Sequence, residues 1–70
     1  MPKVTINGKS RAYPDGRLPA TLEELVRDLG LDPRALVAEV DGATTSSGAF
    51  QACPIRDGSR VELVQFVGGG

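Results

Sequence analysis

The groups in this sequence that could do chemistry are few, and most of them sit at its end. Three consecutive glycines, Gly68, Gly69 and Gly70, follow the β-rich run Val61-Glu62-Leu63-Val64-Gln65-Phe66-Val67. Glycine has no side chain to bury and loses more conformational entropy on ordering than any other residue, so packing gives no use for three in a row. One reading is a frayed end of the ordinary kind. The other is a thin, flexible arm that presents the Gly70 carboxylate as a substrate inside another protein's active site. A narrow channel admits bare backbone and rejects most side chains, which makes Gly68 and Gly69 the threading residues. The remaining candidate is Cys53, the sole cysteine. No neighbouring residue would activate its thiol, and a free cysteine of that kind behaves as a small buried hydrophobe.

The missing residue types exclude more than the present ones assert. There is no histidine, so the chain by itself cannot build a Ser-His-Asp or Cys-His nucleophile system. With one cysteine it also lacks zinc-ligand spacing, and no bound cofactor or metal is expected. Eight basic residues against nine acidic ones give a formal net charge of −1. The basic residues are scattered, so no nucleic-acid footprint forms. No apolar run is long enough to span a membrane, and Met1-Pro2-Lys3-Val4 shows no secretory pattern. A single cysteine rules out an internal disulfide, and the expected compartment is the cytoplasm. Such a chain is a partner of enzymes rather than an enzyme.

Seventy residues make one domain close to the lower limit for an unaided core. The expected division is a folded domain over 1–67 and a tail over 68–70. Lys3-Val4-Thr5-Ile6 alternates as a strand does, and Asn7-Gly8 is the strongest two-residue hairpin signal. Lys9 to Tyr13 returns as a polar edge strand whose charges discourage edge-to-edge pairing. Thr21 with Glu24 three residues on forms a capping-box pattern. Leu22, Leu25, Val26 and Leu29 then make one helical stripe, Glu23 and Arg27 are spaced for an ion pair, and Gly30 suits the left-handed closing position. Asp32-Pro33-Arg34 predicts one short helical turn. Leu36 to Val40 predicts a strand with Val37 among its buried residues, Asp41-Gly42 a turn, and Ala43 to Thr45 a brief return. Ser46 to Pro54 lacks periodicity and predicts a surface loop anchored by Phe50 and Ile55, and Asp57-Gly58 turns the chain into a last strand.

A hairpin, a helix, two strands, a loop and a final strand specify an α+β fold of two layers. The expected form is a β-grasp, or ubiquitin-like, arrangement: a mixed sheet of four to five strands on one helix, with the first and last strands parallel. If Val61 and Leu63 face the helix, alternation sends Glu62, Val64 and Phe66 to the open face. Val64 and Phe66 are therefore the candidate partner-docking surface, although single exposed apolar residues are ordinary and a one-residue bulge would reverse the assignment.

Three pieces of the chain carry a resemblance. Val4-Thr5-Ile6-Asn7-Gly8, Val40-Asp41-Gly42 and Asp57 through Gly70 resemble the ThiS sulfur carriers of bacterial thiamin biosynthesis, with the last piece the most specific. The resemblance implies a ubiquitin-like fold and activation by an E1-like adenylating enzyme of the ThiF type. ATP and Mg²⁺ are used in that partner's site. The Gly70 carboxylate would become an acyl-adenylate, and sulfur from a donor such as a cysteine desulfurase would displace AMP to leave a thiocarboxylate. A ThiG-type thiazole synthase would then receive the sulfur. The segment between Asp41-Gly42 and Asp57-Gly58 departs from the family: where members often carry Pro-Arg and a tryptophan, this chain has Thr45-Ser46 and Phe50.

The same terminus fits other destinations. A carrier of this type could serve molybdopterin, cysteine or tRNA-thiolation pathways, and a ubiquitin-like modifier would be joined through Gly70 to lysines. A passive interaction module would leave the tail inert.

Overall fold

The computed structural model describes residues 1–65. Its first element pair is set by backbone chirality. Asn7 and Gly8 hold φ of 49° and 82°, the positive pair that a tight hairpin turn needs to match the twist of its strands. The turn joins β1 (Lys3–Ile6) to β2 (Lys9–Ala12), with Ile6 opposite Lys9 and Lys3 opposite Ala12.

The helix α1 (Leu22–Asp28) forms where the stripe predicts it, with Leu29 as its cap rather than its last turn. Thr21 Oγ1 accepts the Glu24 backbone N–H at 3.2 Å, satisfying one of the unpaired donors at the helix start. The reciprocal half of the expected box differs. The Glu24 carboxylate accepts from the Thr21 hydroxyl at 3.2 Å instead of reaching a backbone donor. Gly30 closes the helix at φ 77°, its N–H donating to the Arg27 carbonyl at 3.0 Å while Leu31 donates to Val26 at 3.1 Å. Those two bonds satisfy carbonyls that the helix itself leaves open. Pro33–Ala35 makes the short 3₁₀ turn expected after it.

Three more strands complete one sheet: β3 (Leu36–Val40), β4 (Ala43–Thr45) and β5 (Arg60–Gln65). The order β2-β1-β5-β3-β4 places β5 at the centre. It runs parallel to β1, with Thr5 opposite Arg60 and Ile6 opposite Val61, and antiparallel to β3 from Leu36–Gln65 to Val40–Val61. The parallel pairing of first and last strands and the single covering helix are those of the expected β-grasp.

Two expectations need correction. Leu36, Ala38 and Val40 face the core, so Val37 is only half-buried and stands on the other face. A run of apolar residues hides its period, and a one-residue slip exchanges the two faces. Ser47–Ala52 is a 3₁₀ helix rather than an irregular surface loop. Short i→i+3 turns leave neither a 3.6 nor a 2.0 periodicity in the sequence. Its purpose is Phe50, which is wholly buried with Leu22, Leu25, Val4, Val26 and Val61.

Candidate functional site

The central strand builds the site. Along β5, Val61 is buried and Leu63 packs against the core cluster, while Glu62 and Val64 point to the opposite, helix-free face. Val64 is 63% exposed, one of two large apolar side chains that stand out in this way among the described residues. The sequence therefore placed Val61, Glu62, Leu63 and Val64 on their observed faces. Phe66, Gly68, Gly69 and Gly70 lie outside the described residues.

The β3–β5 register adds what the sequence missed. Val37 sits directly opposite Val64, making an apolar pair, and Glu39 sits directly opposite Glu62. Both glutamates are exposed, and neither belongs to an ion pair among the described residues. Like charges at directly opposed sheet positions repel, so this acidic pair costs stability where it stands. The signal for Val37 was present in the alternation of Leu36, Ala38 and Val40. The Glu39–Glu62 pairing was not legible, because it needs the register between two strands.

Side-chain acceptors tie β5 down at both ends. At its start, Asp41 Oδ1 accepts the Arg60 N–H at 2.9 Å. Near its other end, Asn7 Oδ1 accepts the Leu63 N–H at 2.7 Å. The preceding bonds on the same side are from Thr5 N–H to the Ser59 carbonyl and from Asn7 N–H to the Val61 carbonyl, each 2.9 Å. The Asn7 side chain thus continues the β1–β5 ladder one step beyond the last paired residue of β1.

The titratable groups with displaced ionisation lie elsewhere. Burial pushes the Tyr13 hydroxyl up from its usual value, with Arg11 and Asp28 as its hydrogen-bonded neighbours. Hydrogen bonds from Arg34 hold the Asp32 carboxyl below the usual carboxylate range. Cys53 is half-buried and packs against the core beside Phe50's element, which suits the structural role given to it. Among the described residues no group of three or more His, Cys, Asp or Glu side chains could hold a metal ion, and no helix is long and apolar enough to cross a membrane. Among the described residues the helix-free face offers an apolar pair, a carboxylate pair and a strand leading toward residues 66–70, with no acid–base or nucleophilic constellation.

The fold and the sequence are similar to those of known proteins. The chain is 32% identical to a thiamine biosynthesis protein, ThiS, from Geobacter metallireducens, whose crystal structure superposes with a TM-score of 0.79 over 97% of this chain and 99% of that one. The solution structure of a thiamine biosynthesis protein from the same organism gives a TM-score of 0.73, covering 97% of this chain and 87% of that one. Two thiazole synthases are also similar: that of Paramagnetospirillum magneticum at 31% identity over 68 residues, and that of Magnetococcus marinus at 32% over 68 residues. This chain is covered to 97% in both matches but spans 20% of the length of those relatives. The model of the ThiS family matches residues 4–70. With that match running through nearly the whole sequence and the β-grasp topology shared with a solved ThiS protein, the chain belongs to the ThiS family.

Proposed function

We propose that this protein is a sulfur carrier of thiamine biosynthesis and acts as a co-substrate of its partner enzymes. The observation that carries the reading is the family match over residues 4–70, which takes in β5 and the three glycines beyond it. A ThiF-type enzyme transfers AMP from ATP to the Gly70 carboxylate and releases pyrophosphate. A carboxylate is a poor electrophile, and the acyl-adenylate gives it a good leaving group. The persulfide of a donor such as a cysteine desulfurase then displaces AMP to give an acyl disulfide. Attack by a thiol reductant on its S–S bond releases the donor as a disulfide and leaves a thiocarboxylate on Gly70. Gly68 and Gly69 keep the arm thin enough to thread, and Val64 with Phe66 forms the apolar part of the docking surface. The face opposite the helix, with Val37 beside Val64, supports that docking role.

A ThiG-type thiazole synthase is the recipient of the sulfur. Support comes from the two relatives named thiazole synthase, in which a segment similar to this chain is part of a longer polypeptide. Joining a carrier to its acceptor raises the effective concentration of one at the other.

The test is mass spectrometry of the C-terminal peptide after incubation with the adenylating enzyme, ATP and a sulfur source. Replacement of oxygen by sulfur, localised to Gly70 and dependent on ATP, is the expected result. Localisation matters because oxidation of Met1 or Cys53 adds nearly the same mass. A Val64→Asp variant should fold normally and be converted about ten times less efficiently, the loss expected for a docking residue worth more than 1 kcal/mol. An unmodified Gly70, under conditions that convert an established carrier, would overturn the proposal.

A further inference from the structure

The hairpin turn between β1 and β2 holds one bond that hairpin formation does not need. A two-residue turn of this type asks its first residue for a positive φ and nothing of its side chain. Asn7 supplies φ 49°, and glycine would supply it as well. Yet Asn7 Oδ1 also reaches across to accept the Leu63 N–H at 2.7 Å, from a residue 56 positions away. The bond is shorter than the 2.9 Å bonds that the Thr5 and Asn7 N–H groups donate to Ser59 and Val61.

Its place in the ladder gives it a consequence. The β1–β5 register ends at Ile6–Val61. Past that pair β1 has turned away into the hairpin, and the outward-running half of β5 pairs with β3, through Ala38–Leu63, Val37–Val64 and Leu36–Gln65. Among the described residues, the Asn7 amide continues the tie on the β1 side. It acts at the strand position from which the chain proceeds through Val64 and Gln65 toward Gly70.

We infer that Asn7 is a positioning residue for activation of the terminus: by holding the Leu63 N–H, its side-chain amide fixes the line along which β5 delivers the chain to the partner's active site. The inference rests on the sulfur-carrier reading. The physical argument is preorganisation. A segment already aimed along its bound direction loses less entropy when captured than one free to swing on a single-sided hinge. Asn7 touches neither Gly70 nor ATP, so its effect is on capture and alignment.

Two substitutions separate the turn from the tie. Asn7→Gly keeps the positive φ and removes the acceptor. Asn7→Asp keeps a carboxylate oxygen in place of the amide oxygen. In Asn7→Gly, amide hydrogen exchange at Leu63 should speed up about three- to tenfold relative to Val61, the change expected for loss of one neutral hydrogen bond. Steady-state adenylation by the ThiF-type enzyme should show KM for the carrier raised by a similar factor, with kcat little changed. Asn7→Asp should restore both readings to near the parent values. A merely structural Asn7 would lower the melting temperature of Asn7→Gly without the selective Leu63 change or the KM shift, and that result would overturn the inference. So would an Asn7→Asp protein that keeps Leu63 protected but adenylates as poorly as Asn7→Gly. The two proposals fail differently: a parent protein that is never adenylated removes the sulfur-carrier reading and this role with it. A parent protein adenylated no better than Asn7→Gly removes this role alone.

Discussion

Tyr13 joins the hairpin to the helix through its hydroxyl, which accepts from Arg11 Nε at 3.0 Å and donates to Asp28 Oδ2 at 3.1 Å. The Arg11 guanidinium lies 5.4 Å from the ring centroid and 3.6 Å from the same Asp28 oxygen. Tyr13→Phe therefore leaves an ion pair behind and should cost about 0.5–1.5 kcal/mol, the usual net worth of one hydrogen-bonding group, read from urea unfolding. Burial raises the ionisation of Tyr13 above its reference value of 10.0, so the folded chain keeps a proton that the unfolded chain gives up. The resulting stability is complete below pH 10.0 and falls as pH rises through the folded-state value. Unfolding measured on either side of pH 10.0 should show this decline in the parent protein and a smaller one in Tyr13→Phe. Equal declines in the two proteins would show that Tyr13 is not its source.

Strand pairing decides what the open face displays. On β3 and β5 the inward residues Leu36, Ala38, Val40, Val61 and Leu63 fill the core side, which leaves Val37–Val64 and Glu39–Glu62 facing outward. Opposed carboxylates at directly facing sheet positions repel and weaken the domain. Glu62→Lys replaces the repulsion with a cross-strand attraction. It should stabilise the free protein by about 0.2–1 kcal/mol, and added salt should shrink the gain because the groups are exposed. Chemical denaturation at low and high salt checks both points, and a destabilised variant would show that charge repulsion between the two glutamates does not weaken the sheet here. The elements themselves were legible wherever their signals were local. Asn7-Gly8, Thr21 and Gly30 each act through their own turn of backbone, and each sits where the sequence places it.

At the scale of the molecule, one aromatic side chain closes the core. Phe50 is fully buried, carried on a 3₁₀ helix that packs against α1 and completes the space between helix and sheet. Truncating a buried phenylalanine to alanine costs about 3–5 kcal/mol, while a domain of this size has a total stability on the order of 5 kcal/mol. Phe50→Ala should therefore be largely unfolded or close to its unfolding midpoint at room temperature, and Phe50→Leu should remain folded with a lower Tm. Circular dichroism melts of the two variants test this, and a cooperative parent-like melt of Phe50→Ala would place the core's closure elsewhere.

The sequence by itself determined the hairpin, the helix between Thr21 and Gly30 and the exposed side of Val64, because turn chemistry and side-chain alternation act between near neighbours. It also marked the glycines that the sulfur-carrier proposal depends on. Tertiary structure decided which face Val37 takes, that Glu39 opposes Glu62, how deeply Phe50 is set, and that Asn7 reaches Leu63. Each of those facts depends on the register or packing of segments far apart in the chain. Alternation within one strand says which residues share a side. It cannot say which residues of another strand will stand opposite them.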